Sequence, residues 1–314
     1  MSKNCEVEWT VIHAPAKVNL TFEVLRRRED GFHEIRSLVT PISIFDTISV
    51  RPSAFLTLQV EIPAEKKFQR LFAGKRIPTD EKNLIIRAAK LLQRQIVDVN
   101  FELPGADIIL EKRIPAEAGL GGGSGDAAAT MIVLNELWKL GFSREKLAQL
   151  GAELGSDVPL FLRAFPVICR GRGEILEPIP DGNTFPKLSL VVVKPDSGCS
   201  TPEVFRRCTP RYTEDEQKMT QMIHAWRENR LTAFAEGLKN DLTEPAMSVS
   251  PDVKQLLEMF RNVPDPCLGF SLTGSGSACF GLCRSHEHAL KVADFFEHNF
   301  IGTVFVAETE LFPL

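Results

Sequence analysis

"PAEAGLGGGSGDAAAT", residues 115–130, places glycines at 119, 121, 122, 123 and 125 directly ahead of an apolar run that reaches Leu140. Ordering glycine costs more backbone entropy than ordering any other residue, so the run needs a physical reason. Upstream, "ADIILEKRIP" (106–115) reads as a strand closing at a proline. Downstream, residues 124–140 read as a buried helix with Gly141 as its stop. A flexible linker wedged between these two would harm their packing. Gly123-Ser-Gly125-Asp-Ala-Ala128 fits a loose dinucleotide fingerprint. However, no strand runs directly into Gly123, and no strand-end acid waits about 20 residues on. A P-loop needs lysine after its last glycine, where Ser124 and Gly125 stand, and neither H-R-D nor D-F-G occurs. The reading that survives is an anion cradle. Consecutive glycines let backbone N–H groups turn inward onto phosphate oxygens, and the helix N-terminus adds partial positive charge. Ser124 offers a hydroxyl to phosphate or Mg²⁺. A cradle without its own lysine needs a cation and an activating group from elsewhere in the chain.

The rest of the composition is compatible with a small-molecule enzyme. The 314 residues are 44% hydrophobic and 25% charged, enough for one large domain or two ordinary ones. The formal net charge of −4, with both signs interspersed, argues against a duplex nucleic-acid partner. No apolar run approaches the about 18 residues of a membrane span. Seven scattered cysteines without a Cys-x-x-Cys pair read as reduced thiols, hence a cytoplasmic protein. The histidines form no metal pattern, and His286-Glu-His288 reads as a solvated face.

Along the chain, Val7, Trp9 and Val11 alternate with polar residues as in a half-buried strand. The alternation resumes after "HAPAK" with Val18, Leu20, Phe22 and Val24. "FLTLQVEI" (55–62) reads as a strand and "NLIIRAAKLLQRQIV" (83–97) as a helix. Ser143 caps a further helix to about Leu154. "EILEPIPDGNTFPK" (174–187) lacks periodicity and marks a boundary, dividing the chain into 1–180 and 181–314. Beyond it come the strand "LSLVVVKP" and helix starts at Thr201-Pro202, at Thr213-Glu-Asp-Glu216 as a capping box, and at Ser250-Pro251. "FSLTGSGSACFGL" follows as strand, glycine turn and strand; a helix over 286–297 and the strand "GTVFVAETEL" close the chain. Without regular β-α alternation the class is α+β.

Three motifs in order resemble the GHMP small-molecule kinases: "PAEAGLGGGSGDAAA", "NDLTEPA" (240–246) and "LTGSGSACFGL" (272–282). "APAKVNLTFEVLRRREDGFHEI" (14–35), "NLIIRAA" (83–89), "GSDVPLFL" (155–162), "GRGEIL" (171–176) and "TPEVF" (201–205) resemble the branch whose acceptor is a cytidyl diphosphate alcohol. The resemblance implies a two-lobed GHMP kinase fold. Its N-terminal domain would carry a left-handed βαβ unit, an exception to the crossover rule, and its C-terminal domain would be ferredoxin-like. It also implies transfer of the ATP γ-phosphoryl group, with Mg²⁺ accompanying ATP, to the alcohol's 2-hydroxyl. The partners would be these small molecules, with no nucleic acid or membrane, and the chain a monomer or weak homodimer. Another GHMP activity, such as a mevalonate-type kinase or decarboxylase, is the alternative within enzymes; a catalytically silent nucleotide-binding regulator is the alternative outside them.

Carried over residue by residue, the resemblance gives these roles. On sequence alone Lys17 reads as a solvated lysine and Asp157 as a helix N-cap. In the family pattern Lys17 stabilises the transferring phosphoryl group and Asp157 orients or deprotonates the attacking hydroxyl. Pro115, Ala116, Glu117, Ala118, Gly119, Leu120, Gly121, Gly122, Gly123, Ser124 and Gly125 would hold ATP, with Asn83 and Lys112 near the adenosine. Lys112 otherwise reads as a surface charge. Asn19, Phe32, His33, Thr201 and Phe205 would hold the acceptor. His33 would read the cytosine edge and the two phenylalanines would stack on it, core positions being the alternative for both rings. No protein-built metal site is implied. Three departures stand out: Gly125 replaces a second serine, Phe32 replaces a tyrosine, and "RAFPVICRGRGE" is less glycine-rich than the family segment.

Overall fold

A computed structural model describes residues 8–96, 103–163, 166–180, 182, 184–210 and 216–310. In chain order the elements are β1 (Thr10–Asn19), β2 (Thr21–Arg27), β3 (His33–Ser53), β4 (Leu56–Glu61), α1 (Lys66–Leu71), α2 (Leu84–Gln93), β5 (Gly105–Glu111) and α3 (Gly122–Leu137). Next come α4 (Arg144–Gly151), α5 (Val158–Arg163), β6 (Val167–Gly171), β7 (Ile175–Pro178), β8 (Ser189–Pro195), α6 (Thr201–Arg207), α7 (Gln217–Arg227) and α8 (Leu231–Ala235). The chain ends through β9 (Lys239–Asn240), α9 (Thr243–Val249), α10 (Pro251–Asn262), β10 (Gly269–Leu272), β11 (Cys279–Cys283), α11 (His286–Asn299) and β12 (Gly302–Glu308).

β3 is the spine of the first sheet. Its 21 residues pair antiparallel with β2, β6, β1 and β5 in turn, and β4 joins β5 in parallel across a βαβ unit. β7 attaches through β6 and β9 through β2. Sequence reasoning does not find β3, because Pro41 and Pro52 interrupt the run and proline cannot donate to a ladder. β1 likewise continues straight through His13–Lys17, where the sequence suggests a break; a bulge between Pro15 and Ala16 accommodates the proline. Val7 lies outside the described residues. Val11 is exposed rather than part of a buried face, and burial begins at Ala14.

The second sheet has the order β10-β11-β8-β12 and is antiparallel throughout. Numbered along the chain this is 2-3-1-4, with helices after its first and third strands, which is the ferredoxin-like arrangement. β7 falls inside the stretch 174–187 that reads as irregular, so the first sheet extends to Pro178. The two sheets share an apolar cluster that includes Val18, Leu20, Leu120, Leu190, Phe280 and Phe305. The two-lobed α+β architecture thus matches the one expected.

Helix starts differ from expectation in three places. α3 begins at Gly122, two residues early, with Gly121 at its N-cap in the left-handed region. Ser200, not Thr201, caps α6. Residues 213–215 of the expected capping box lie outside the described residues, and Glu216 instead pairs with Arg36 at 3.1 Å and Arg170 at 2.9 Å. His288 is buried and accepts from Arg284 N at 3.1 Å, so it does not belong to a solvated face.

The glycine loop and the β10–β11 turn lie against each other. Ser277 N donates to Glu117 O at 3.2 Å, Ala278 N to Ala118 O at 3.1 Å, and Thr273 Oγ1 to Gly119 O at 3.1 Å. A Cβ on Gly119 would fall 2.0 Å from Thr273 O, and its φ is +73°. Gly119→Ala should therefore cost about 1–3 kcal/mol and lower the melting temperature by several degrees in scanning calorimetry; an unchanged transition would show that the two turns do not depend on this contact.

Candidate active site

The glycine run forms one wall of a cleft of about 430 Å³ that also takes in Phe72, Lys75, Pro78, Asn83 and Lys112. Each glycine has its own physical reason. Gly121 turns the chain left-handed, and a side chain there would strike Phe161 and Lys17. A Cβ on Gly122 would meet Ile114 at 2.8 Å and Lys112 Nζ at 3.2 Å. Gly125, which replaces the family's serine, lets α3 approach Pro15 O at the β1 bulge, 2.8 Å from where a Cβ would sit. Gly123 alone is exposed and open, with only Leu84 at 3.6 Å. It is therefore Gly123, in the first turn of α3, that presents bare backbone to the cleft.

Asn83 caps α2 and has both ends of its amide engaged. Its Oδ1 accepts from Ile85 N at 2.9 Å and its Nδ2 donates to Pro78 O at 2.7 Å. It shapes the cleft wall. Lys112 is not a surface charge: it is buried and bonds Asp46 at 2.5 Å and Asp126 at 2.6 Å. Asp46 also accepts from the backbone N–H groups of Arg113 and Ile114. Burial and the Asp46 charge push the Asp126 carboxyl well above the usual carboxylate range. Its Oδ1 is buried without a partner. The sequence offered one clue to Asp46: a lone carboxylate in the apolar alternation "ISIFDTISV".

Lys17 and Asn19 share one face of β1, as their spacing requires. The buried Lys17 ammonium donates to Asn19 Oδ1, and Asn19 Nδ2 donates to Ser37 Oγ at 2.8 Å. Asn19 N donates to Thr273 Oγ1 at 3.1 Å, so the second sheet helps to hold this strand end. Burial pulls the Lys17 pKa down, while the charge of Asp157 works in the opposite direction. Asp157 precedes α5 and is half-buried, and its carboxylate makes no hydrogen bond among the described residues. It is not spent on capping. Cys169 is within electrostatic reach of both, and burial pushes its thiol up to about 12. It therefore stays protonated and is a poor nucleophile.

The aromatic residues come from β2, the start of β3 and α6. The His33 ring lies 5.2 Å from Phe205, which meets Phe22 edge-on at 6.2 Å. Burial, aided by Arg27, lowers the His33 pKa. Phe32 is 54% exposed, so it is no core residue. The Thr201 hydroxyl bonds Ser275 at 2.7 Å, tying α6 to the β10–β11 turn. A larger cavity, of about 640 Å³, opens beside Arg113 and contains none of the residues named above for ATP or acceptor.

Residues 83–164 match the model of the GHMP kinases N terminal domain, and residues 222–302 that of the GHMP kinases C terminal region. The 4-diphosphocytidyl-2-C-methyl-D-erythritol kinase of Pelotomaculum thermopropionicum is 37% identical over 89% of this chain and 91% of its own. The enzyme of that name from Geobacillus thermodenitrificans is 36% identical over 90% of both chains. The chain belongs to the 4-diphosphocytidyl-2-C-methyl-D-erythritol kinase family of the GHMP kinases. A crystal structure of a 4-(cytidine 5'-diphospho)-2C-methyl-D-erythritol kinase superposes with a TM-score of 0.74 at 32% identity, covering 95% of this chain and 98% of that one. Homoserine kinase from Cytophaga hutchinsonii, 17% identical, shares the GHMP fold with a TM-score of 0.69 over 99% of this chain and 97% of its own.

The glycine geometry separates two variants. Gly123→Val has room and should fold with an unchanged melting temperature while weakening ATP binding by about ten-fold or more. Gly122→Val must displace Ile114 and Lys112 and should lower stability. Calorimetric nucleotide affinity that is unaltered in Gly123→Val would remove Gly123 from the cradle.

Proposed function

We propose that this chain transfers the γ-phosphoryl group of ATP to the 2-hydroxyl of 4-diphosphocytidyl-2-C-methyl-D-erythritol, in the cytoplasm, on the non-mevalonate route to isoprenoid precursors. The observation that carries the reading is the placement of Lys17 and Asp157. One is a desolvated ammonium held by a neutral amide, and the other is a carboxylate without a hydrogen bond among the described residues, whose charge acts on that ammonium. Lys17 lies against Gly121 of the cleft wall, and Asp157 lies against the turn after β6 that reaches Phe32. Residues 1–180 and 181–314 act as the two lobes, with substrates meeting at their junction.

ATP lies with its phosphates on the first turn of α3. Its adenosine faces the wall that Asn83 shapes, while Lys112 braces the loop from behind. Among the described residues no trio of His, Cys, Asp or Glu could hold a metal ion. Mg²⁺ arriving with ATP would keep most of its waters and be held chiefly by the substrate phosphates, and Ser124 is the hydroxyl of the cleft lining that would assist. When bound, Mg²⁺ neutralises phosphate charge. Asp157 orients the attacking hydroxyl and takes its proton. Lys17 stabilises charge on the transferring group, in a dry setting where its charge acts more strongly than in water. Transfer is a single displacement from ATP to the alcohol, and the protonated Cys169 thiol does not compete as a nucleophile. Neutral His33 offers one donor and one acceptor to a cytosine edge, and a site set for that pattern leaves a partner unpaired with uracil.

Coupled ADP release over a panel of alcohols tests the assignment: the cytidyl diphosphate ester should react, and mevalonate, galactose and free methylerythritol should not. Comparable turnover of mevalonate or galactose would overturn it. Asp157→Asn should lower kcat by about 10²–10⁴ with ATP affinity little changed. Lys17→Ala should also lower kcat, and the double variant should lose less than the product of the two. Because its pKa is lowered, His33 is neutral down to a pH below its usual value of about 6.5. Acceptor KM should therefore rise only as the pH falls through that lowered value, and this rise should be absent in His33→Gln.

A further inference from the structure

We infer that Arg172 is the cation that holds the diphosphate of the acceptor, making it a specificity-determining residue of the site. The inference rests on the proposed acceptor. Such a molecule has a base at one end, a hydroxyl at the other and a diphosphate between. The base end belongs to Phe32, His33 and Phe205, the hydroxyl end to Lys17 and Asp157. The turn after β6 spans the two ends. At one side of it the Arg172 guanidinium lies 4.8 Å from the Phe32 ring centroid. At the other, a Cβ on Gly173 would lie 3.9 Å from Asp157 Oδ1 and 3.8 Å from Ser156. Gly171 and Gly173 both have positive φ, at +68° and +115°, which brings the turn this close.

Three other arginines of the region are already engaged, whereas Arg27, whose charge reaches His33, has no contact that links it to Asp157 among the described residues. Arg28 bonds Asp30 at 3.1 Å and Glu34 at 3.0 Å. Arg36 is buried against Glu23 and Glu216. Arg170 is held by Glu177 at 2.7 Å and Glu216 at 2.9 Å. Lys17 serves the transferring group. Arg172 is within ion-pair distance of Glu174, through Nε at 3.7 Å, its charge also reaches Asp30, and its side chain is 38% exposed. Neither of its terminal nitrogens has a hydrogen-bond partner among the described residues. A guanidinium whose two terminal nitrogens make no hydrogen bond among the described residues, stacked on the ring that would carry the base, suits bidentate binding of a phosphate beside that base.

Isothermal calorimetry with CDP and with cytidine separates charge recognition from mere support of Phe32. The wild-type protein should bind CDP at least about ten-fold more tightly than cytidine. Arg172→Gln should lose most of that ratio, with cytidine affinity within about two-fold of wild type, and Arg172→Lys should recover part of it. In turnover, Arg172→Gln should raise acceptor KM and leave kcat and ATP KM unchanged. A parallel fall in CDP and cytidine affinity, or no change in either, overturns the inference while the acceptor assignment stands. Failure of the wild-type protein to bind CDP or to turn over the cytidyl ester overturns both.

Discussion

Two turns, one from each sheet, meet at a hydroxyl. Thr273 Oγ1 donates to Gly119 O and accepts from Asn19 N, each at 3.1 Å. Asn240 adds a second clasp, donating from Nδ2 to Leu272 O at 2.8 Å and Gly274 O at 2.9 Å. Lys17 N in turn donates to Leu120 O at 2.9 Å. These neutral, buried hydrogen bonds fix the end of β1, the glycine loop and the β10–β11 turn relative to one another. Without them Lys17 would have no defined position relative to α3. The glycines at 119 and 274 matter because a Cβ at either would push these backbones apart.

Two buried lysines near this junction have opposite fates, and the difference is electrostatic. Lys112 is bracketed by two carboxylates, and their charges raise its pKa despite burial. Its charge is consumed in holding the first turn of α3 to β3, and removing it would leave two buried carboxylates uncompensated, a loss of about 3–5 kcal/mol. Lys17 is bonded to an amide, and its nearest opposing charge makes no direct ion pair with it. An ammonium desolvated in this way has unused capacity for a negative charge that appears during reaction. The same contrast distinguishes Arg170 from Arg172.

Much of this was legible in the sequence, for identifiable reasons. The glycine run, the helix α2, the Ser143 cap, the start at Ser250 and the strand–turn–strand over 269–283 follow local rules that the tertiary structure leaves in force, whereas the capping role of Asn83 emerged only from the structure. The spacing of Lys17 and Asn19 placed both on one face. What was hidden is what non-local pairing decides. β3 carries prolines and a buried Asp46, which local rules count against a strand, yet it pairs with four others. Lys112 looked exposed because its partners lie 66 and 14 residues away in sequence. Gly122 and Gly123 are indistinguishable in sequence; only the fold turns one toward Ile114 and the other toward the cleft. Arg172 became interesting only once its turn was seen to bridge Phe32 and Asp157.

The central claim is that one phosphoryl group passes directly from a nucleotide on α3 to an alcohol at Lys17 and Asp157, with no covalent stop on the protein. The stereochemical course at phosphorus tests this most directly, using ATP made chiral at the γ-phosphorus with oxygen isotopes and the cytidyl diphosphate ester as acceptor. A single in-line displacement predicts inversion of configuration in the product. Retention would require two displacements through a phosphorylated side chain and would contradict the account.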